Sequence, residues 1–301
     1  MKSNCVPIGT EIFTIDGWKK IEDISSFETI ASINPVTLQV NYQQINNLKF
    51  WNYQGAMYHI KNAKTYDLTV GPNHKVLMWD RYQEPQFIEA NYVDILANKN
   101  DSALSHSHLK RSGIWTGDMP TNFEVAGKTV NAKDWAAFMG IYLSEGHAQG
   151  TKGGKFGWGV GVSQNAGEKA DEIETMLKRL PWDFKCEITK YAARTRKQFM
   201  TRNEALHREL FQYGNSAQKH IPSYMKKWHP DLLQEFLYWM NLGDGRKVKG
   251  WKGKIVLDIA VVSKRLSYDC AEIMTKLGYG GTVTAMWMTD KDTPSPDFHT
   301  T

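Results

Sequence analysis

Cys5, His74, Glu145 and Asp244 are the residues of this chain whose types and settings could do chemistry. The two acids stand in matched frames, Phe138-Met139-Gly140-Ile141-Tyr142-Leu143-Ser144-Glu145-Gly146 and Leu237-Tyr238-Trp239-Met240-Asn241-Leu242-Gly243-Asp244-Gly245. Apolar residues recur at helical spacing before each, at Trp135, Phe138, Met139 and Tyr142 and again at Leu233, Phe236, Leu237 and Met240. Each stretch therefore reads as a buried helix ended by its glycine. An acid at a helix C-terminus faces the negative end of the macrodipole and is repelled unless a cation comes to it. One such acid is an ordinary surface residue; two in matched frames point to a duplicated unit that brings both to one divalent metal site.

The elements that must position them repeat as well. After the first helix an alternating run covers Phe156 to Val162, a helical segment Ala166 to Leu180 and a strand Phe184 to Tyr191. After the second come Lys254 to Val261, a helical segment Arg265 to Leu277 and a strand Thr282 to Trp287. Each half is expected to run helix, strand, helix, strand. Such a sheet can lie along a DNA groove.

The pair of frames resembles the signature of LAGLIDADG homing endonucleases. By that resemblance Glu145 and Asp244 are the metal ligands, with Mg²⁺ as the cofactor and double-stranded DNA with a long recognition site as the partner. Ala217-Gln218-Lys219-His220-Ile221-Pro222 resembles the lysine-bearing block of such endonucleases embedded in inteins, which implies that Lys219 assists at the phosphate. Its counterpart in the second half is expected after Trp287, where Lys291 stands without a recognisable motif. Close helix packing favours small residues at the crossing. Gly140 satisfies this, whereas the matching position is Trp239; either Gly140 opens room for the indole or the crossing is wider.

Net charge is only +5, which by itself does not point to nucleic acid. Its distribution is more informative. Between Lys178 and Lys227 lie Arg179, Lys185, Lys190, Arg194, Arg196, Lys197, Arg202, Arg208, Lys219 and Lys226, against Asp183, Glu187, Glu204 and Glu209. A second cluster, Arg246, Lys247, Lys249, Lys252 and Lys254, follows Asp244 directly. Beside a phosphodiester site such runs suit phosphate contacts.

The first hundred residues read differently, as short strands and turns. Cys5 to Ile24 combines a cysteine, a strand, the Asp16-Gly17 turn and an amphipathic return. Further strands are expected from Val40 to Trp51, Met57 to Ile60 and Tyr66 to Val70. The opening block resembles that of inteins, of the Hint superfamily, and Gly71-Pro72-Asn73-His74-Lys75-Val76-Leu77 resembles the block carrying their activating histidine. The resemblance implies Cys5 as nucleophile toward the Asn4 carbonyl and His74 as the group that protonates the departing amide nitrogen. Inteins usually carry threonine where this chain has Gly71, and Asn73 is a substitute donor. They also finish with a His-Asn pair that is not found at Thr301, so a complementary C-terminal intein fragment is an expected partner.

Cys5, Cys186 and Cys270 are too few and scattered for a disulfide framework, and no signal peptide or membrane-spanning run is evident, which points to a reducing, cytoplasmic setting. His106 and His108 lack partners at ligand spacing. The expectation is an α+β chain: an extein stub at 1–4, a mostly-β, partial Hint-type domain at 5–100, a linker at 101–122, and a duplicated α/β endonuclease domain at 123–301, acting as a monomer. The alternatives are an autoprocessing protein with a decayed nuclease, or a nucleic-acid-binding module on the same scaffold.

Overall fold

The computed structural model describes residues 5–34, 36–62, 66–79, 85–93, 108–109, 113–150, 157–191, 194–249, 255–279, 283–287 and 296–300. The chain divides into two compact units, one built mainly from residues up to Trp115 and the other from Thr116 onward. Thr116 to Thr121, which composition places in the linker, group with the second unit, where Asp118 bridges Trp228. Residues 1–4, His106 and Lys291 lie outside the described residues.

The first unit is an assembly of short antiparallel strands. Strands β1 (Glu11–Thr14), β2 (Gly17–Lys20), β3 (Thr29–Ile33) and β4 (Val40–Gln44) form one sheet in the order β2-β1-β3-β4. The β1–β2 turn falls at Asp16-Gly17, where Gly17 takes a φ of 111° that a side chain would strain. Strands β5 (Tyr58–Asn62) and β6 (Tyr66–Val70) make a hairpin. Strand β7 (Lys75–Trp79) pairs with both β8 (Pro85–Glu89) and β9 (His108–Leu109). The expected long strand to Trp51 stops at Gln44; beyond it Asn46-Asn47 interrupts the alternation. A small core of Val76, Met78 and Val93 gathers Ile60, Leu68 and Ile88.

In the second unit a hairpin, β10 (Asn122–Val125) and β11 (Lys128–Asn131), feeds helix α1 (Ala132–Glu145). The Asn131 side chain accepts from the N–H groups of Lys133 and Asp134 and caps that helix. Strands β12 (Gly146–Gln149) and β13 (Gly159–Asn165), helix α2 (Glu168–Leu177), and strands β14 (Lys185–Tyr191) and β15 (Arg194–Arg202) follow, and the sheet order is β12-β13-β15-β14. Helix α3 (Glu204–Phe211) and a connector lead to helix α4 (Pro230–Asp244). Then come β16 (Gly245–Lys249), β17 (Ile255–Val261), helix α5 (Lys264–Lys276), β18 (Val283–Trp287) and β19 (Pro296–Thr300), with sheet order β16-β17-β19-β18. Both antiparallel sheets thus share one strand order, with a helix before the first strand and another after the second.

Each half contains two more strands than the expected helix, strand, helix, strand. Strands β12 and β16 were hidden because each begins at the residue directly after the acid. Strand β15 was hidden because only Phe199 among Thr195, Lys197, Phe199 and Thr201, the residues facing the helices, is strongly apolar. Its alternation is therefore faint, and it reads as a basic run.

The centre of this unit is the pair α1 and α4. Trp135 through Leu143 are buried without interruption, so α1 is a core helix with no solvent face. A Cβ at Gly140 would stand 2.5 Å from the Phe236 carbonyl oxygen and 2.9 Å from the Trp239 Cβ, so the backbones touch there. The crossing is close despite Trp239, because the indole turns along its own helix and donates to Glu235 (2.8 Å). Nearer the acids, Gly243 packs on Ser144. Gly146 and Gly245 end the helices with φ of −87° and −92°, outside the left-handed region. They are required by space, since a Cβ would strike Tyr142 or Asn241 as the chain passes straight into a strand.

Gly140→Ala would stabilise an exposed helix by about 1 kcal/mol through propensity. Here it is expected to destabilise by about 1–3 kcal/mol through overpacking, as urea unfolding would show.

Candidate active site

Glu145 ends α1 and Asp244 ends α4, and the crossing at Gly140 sets these two helix ends side by side. A Cβ at Gly243 would lie 3.1 Å from the Cγ of Glu145. The carboxyl of Asp244 is pushed up to about 7, first by burial and then by the negative charge of Glu145, with Lys219 and Lys169 opposing. Gln164, on β13, donates to Glu145 Oε1 (3.2 Å). Among the described residues no group of three or more His, Cys, Asp or Glu side chains gathers to hold a metal.

Burial and the negative charge of Glu145 at the paired helix ends make ionisation of Asp244 costly, a cost that a bound cation would offset. Hard oxygen donors in that state fit a magnesium-like cation, which binds through one or two carboxylates and leaves positions for water and phosphate oxygens.

The cations that helix ends of this kind require are both present. Lys219 is buried, and its Nζ donates to the carbonyls of Tyr142 (2.9 Å) and Gly146 (2.8 Å), with Ser144 at 3.5 Å. Burial draws this ammonium down to about 8, while Asp244 and Glu145 work to keep it charged. At α4 the corresponding cation is Lys169, whose Nζ donates to the Leu242 carbonyl (2.8 Å). Lys169 comes from α2, whereas the sequence places the expected counterpart to Lys219 after Trp287, where Lys291 lies outside the described residues.

Around Glu145 opens a cleft of about 270 Å³ lined by Ser163, Gln164, Asn165, Arg194 and Arg196. Paired residues in a sheet share a face. The register Ser163↔Gln198, Asn165↔Arg196 and Thr189↔Arg196 therefore sets Ser163, Asn165, Thr189, Arg196 and Gln198 on one face, while Val160, Val162 and Phe199 are buried on the other. Arg194 and Arg196 are exposed. The backbone of Arg246, Lys247 and Lys249 forms β16, directly after Asp244; Lys252 and Lys254 fall outside the described residues.

In the first unit, Cys5 and the histidine turn meet through the backbone. The Gly71 N–H donates to the Cys5 carbonyl (2.8 Å), and the Gly71 carbonyl accepts from the His74 N–H (3.1 Å). Burial lowers the pKa of His74, and its Nδ1 is buried with no hydrogen-bond partner among the described residues. The imidazole is thus neutral at pH 7 and has a nitrogen uncommitted to the fold. Asn73 donates to Glu89 Oε2 (3.2 Å), so its amide is engaged away from Gly71.

No family model matches the chain. It is 24% identical over 242 residues to an ATP-dependent Clp protease proteolytic subunit of Chlamydomonas moewusii, covering 73% of this chain and 23% of that protein. It is 26% identical over 159 residues to a DNA-directed RNA polymerase subunit beta C-terminal section of Stigeoclonium helveticum, covering 49% of this chain and 14% of that protein. The chain thus spans less than a quarter of the length of either relative. Among solved structures, the homing endonuclease I-DmoI in complex with DNA and Ca is similar at a TM-score of 0.40 and 14% identity, over 56% of this chain and 83% of that one. The homing endonuclease I-WcaI bound to its DNA recognition sequence is similar at 0.33 and 11%, over 59% and 77%.

A carboxyl whose pKa rises on folding favours the protonated fold. Its contribution is complete below about 3.8 and is lost as the pH climbs through about 7. In EDTA at pH 8, Asp244→Asn is expected to be more stable than the parent by about 1–2 kcal/mol. At pH 5 the difference should shrink, as thermal melts at the two values would show.

Proposed function

We propose that this chain is an intein-type polypeptide whose second unit is a LAGLIDADG-type, site-specific DNA endonuclease and whose first unit is part of a Hint-type self-processing domain. The observation that carries the nuclease reading is the close crossing at Gly140 and Gly243, which pairs the ends of α1 and α4 so that Glu145 and Asp244 lie side by side, with the Lys219 ammonium on the Tyr142 and Gly146 carbonyls next to them. The two sheets of equal strand order support reading the unit as a duplication that presents one carboxylate from each half.

Glu145 and Asp244 hold Mg²⁺, which when bound supplies Lewis-acid polarisation of a phosphate oxygen and of water. Lys219 brings a buried positive charge to the same place; two of its N–H groups are committed to carbonyls, which fixes the ammonium where charge develops on the phosphate. Gln164 orients Glu145. The polar sheet face carrying Asn165, Thr189, Arg196 and Gln198 meets the duplex, with Arg194 and Arg196 on phosphates and the uncharged side chains on base edges.

The self-processing reading has two supports. One is the meeting of Cys5 with the His74 turn. The other lies in the two relatives, whose names describe unrelated activities, proteolysis and transcription. A segment similar to this chain within small parts of two such proteins is what an element inserted into different hosts would produce. Neutral His74 then takes the Cys5 thiol proton as the sulfur attacks the Asn4 carbonyl and passes a proton to the departing amide nitrogen, so that the C–N bond breaks, the C–S bond forms and the proton count is unchanged.

The nuclease test uses a plasmid library carrying the uninterrupted host gene with protein and Mg²⁺. A single double-strand cut is expected, reduced at least about a hundredfold in Glu145→Gln and in Asp244→Asn. Binding without any cut would remove the nuclease reading and leave a DNA-binding module. Independently, a thiol reagent is expected to release the residues before Cys5, and Cys5→Ala to prevent it; no release from the parent chain would refute the processing role.

A further inference from the structure

The connector between α3 and α4 carries Lys219 with little regular structure of its own; its one regular turn is Met225–Lys227. Yet it must insert an ammonium beneath the end of α1. Its grip comes from α5, a helix of the other half. Ser263, the N-cap of α5, accepts from the Leu266 N–H (3.1 Å) and donates its own hydroxyl to the Lys219 carbonyl (2.6 Å). Two residues on, the Ile221 N–H donates to Asp269 Oδ2 (2.9 Å). Asp269 Oδ1 holds Lys226 (3.0 Å), which also meets Glu272 (3.1 Å). Glu272 in turn holds Lys276 (2.8 Å), whose Nζ donates to the Lys226 carbonyl (2.5 Å).

Every member of this chain of contacts is buried: Ser263 0%, Asp269 4%, Glu272 0%, Lys276 3%, Lys226 2% and Lys219 5% exposed. Two cations and two carboxylates sealed from water are a poor source of stability, since apolar residues of like volume commonly serve as well or better. What directional bonds add is register: only one placement of residues 219–226 satisfies them together.

We infer that the buried polar face of α5, Ser263 with Asp269, Glu272, Lys226 and Lys276, is a positioning device that holds Lys219 at the nuclease site, so that one half of the unit sets the lysine serving the other half's acid. The inference rests on the reading of Lys219 as part of a DNA-cutting site. Its test separates the two.

The probe is the reactivity of the Lys219 amine toward a water-soluble acylating reagent at fixed pH, read by mass spectrometry on the full chain without DNA. Ser263→Asp keeps an N-cap acceptor for α5 but has no hydroxyl to give to the Lys219 carbonyl. It is expected to raise Lys219 labelling at least about fivefold, and to lower kcat about tenfold with DNA affinity within about twofold. Ser263→Thr, which keeps the hydroxyl, is expected to restore both. The fourfold replacement Lys226→Met, Asp269→Leu, Glu272→Leu and Lys276→Met is expected to fold, with Lys219 again open to the reagent. Lys219 still protected in a folded fourfold variant, or in Ser263→Asp, would overturn the inference; if the fourfold variant does not fold, Ser263→Asp decides. Should the parent protein cut no DNA, the labelling result still stands, because it reads the position of Lys219 and not the reaction.

Discussion

Close contact between two helix backbones governs the second unit. Because Gly140 has no side chain, α1 and α4 approach until the Trp239 Cβ and the Phe236 carbonyl occupy the space a methyl would need. That approach brings together two helix C-termini, each negative through its free carbonyls and each ending on an acid. Two lysines answer the resulting charge. Lys219 and Lys169 satisfy the carbonyls, while the carboxyls themselves are left coupled, with Asp244 held near neutrality by burial and by its neighbour. Such an arrangement costs stability, and perturbed groups of this kind mark a candidate site.

The two cations are supplied by different routes. Lys219 arrives on an irregular connector and is buried; Lys169 arrives on a regular helix, near the surface, and reaches one carbonyl among the described residues. The site is therefore symmetric in its acids and asymmetric in its bases. The Lys226, Asp269, Glu272 and Lys276 cluster belongs to the same economy of structure, because it anchors the less regular of the two routes.

How much of this was legible in the sequence depends on where the information lies. The core helices were legible because Trp135 to Leu143 and Leu232 to Met240 are apolar runs at helical spacing, and the acids because each closes such a run. Lys219 stands in a block that sets it apart in the sequence, and its ammonium lies on the carbonyls at the end of α1. Strand β15 was not legible, since a polar, basic strand that packs on helices mainly through Phe199 leaves little alternation to read. Lys169, Gln164 and Ser263 were not legible because each acts on a residue 19 to 73 positions away. Asp269, Glu272 and Lys276 look like the wet side of an amphipathic helix, and only tertiary contact shows that they are buried. In the first unit, the blocks around Cys5 and His74 stand out in the sequence, while the Gly71 backbone that joins the two segments is something no side-chain pattern encodes.

The central claim is that Glu145 and Asp244 together form one divalent-cation site. Replacing magnesium by iron(II) and adding ascorbate and peroxide generates oxidant at the bound ion, so backbone scission maps what surrounds it. The account predicts fragments from scission beside both residue 145 and residue 244, suppressed in parallel by excess Mg²⁺. Scission confined to one of the two, or scattered and unaffected by Mg²⁺, would contradict it.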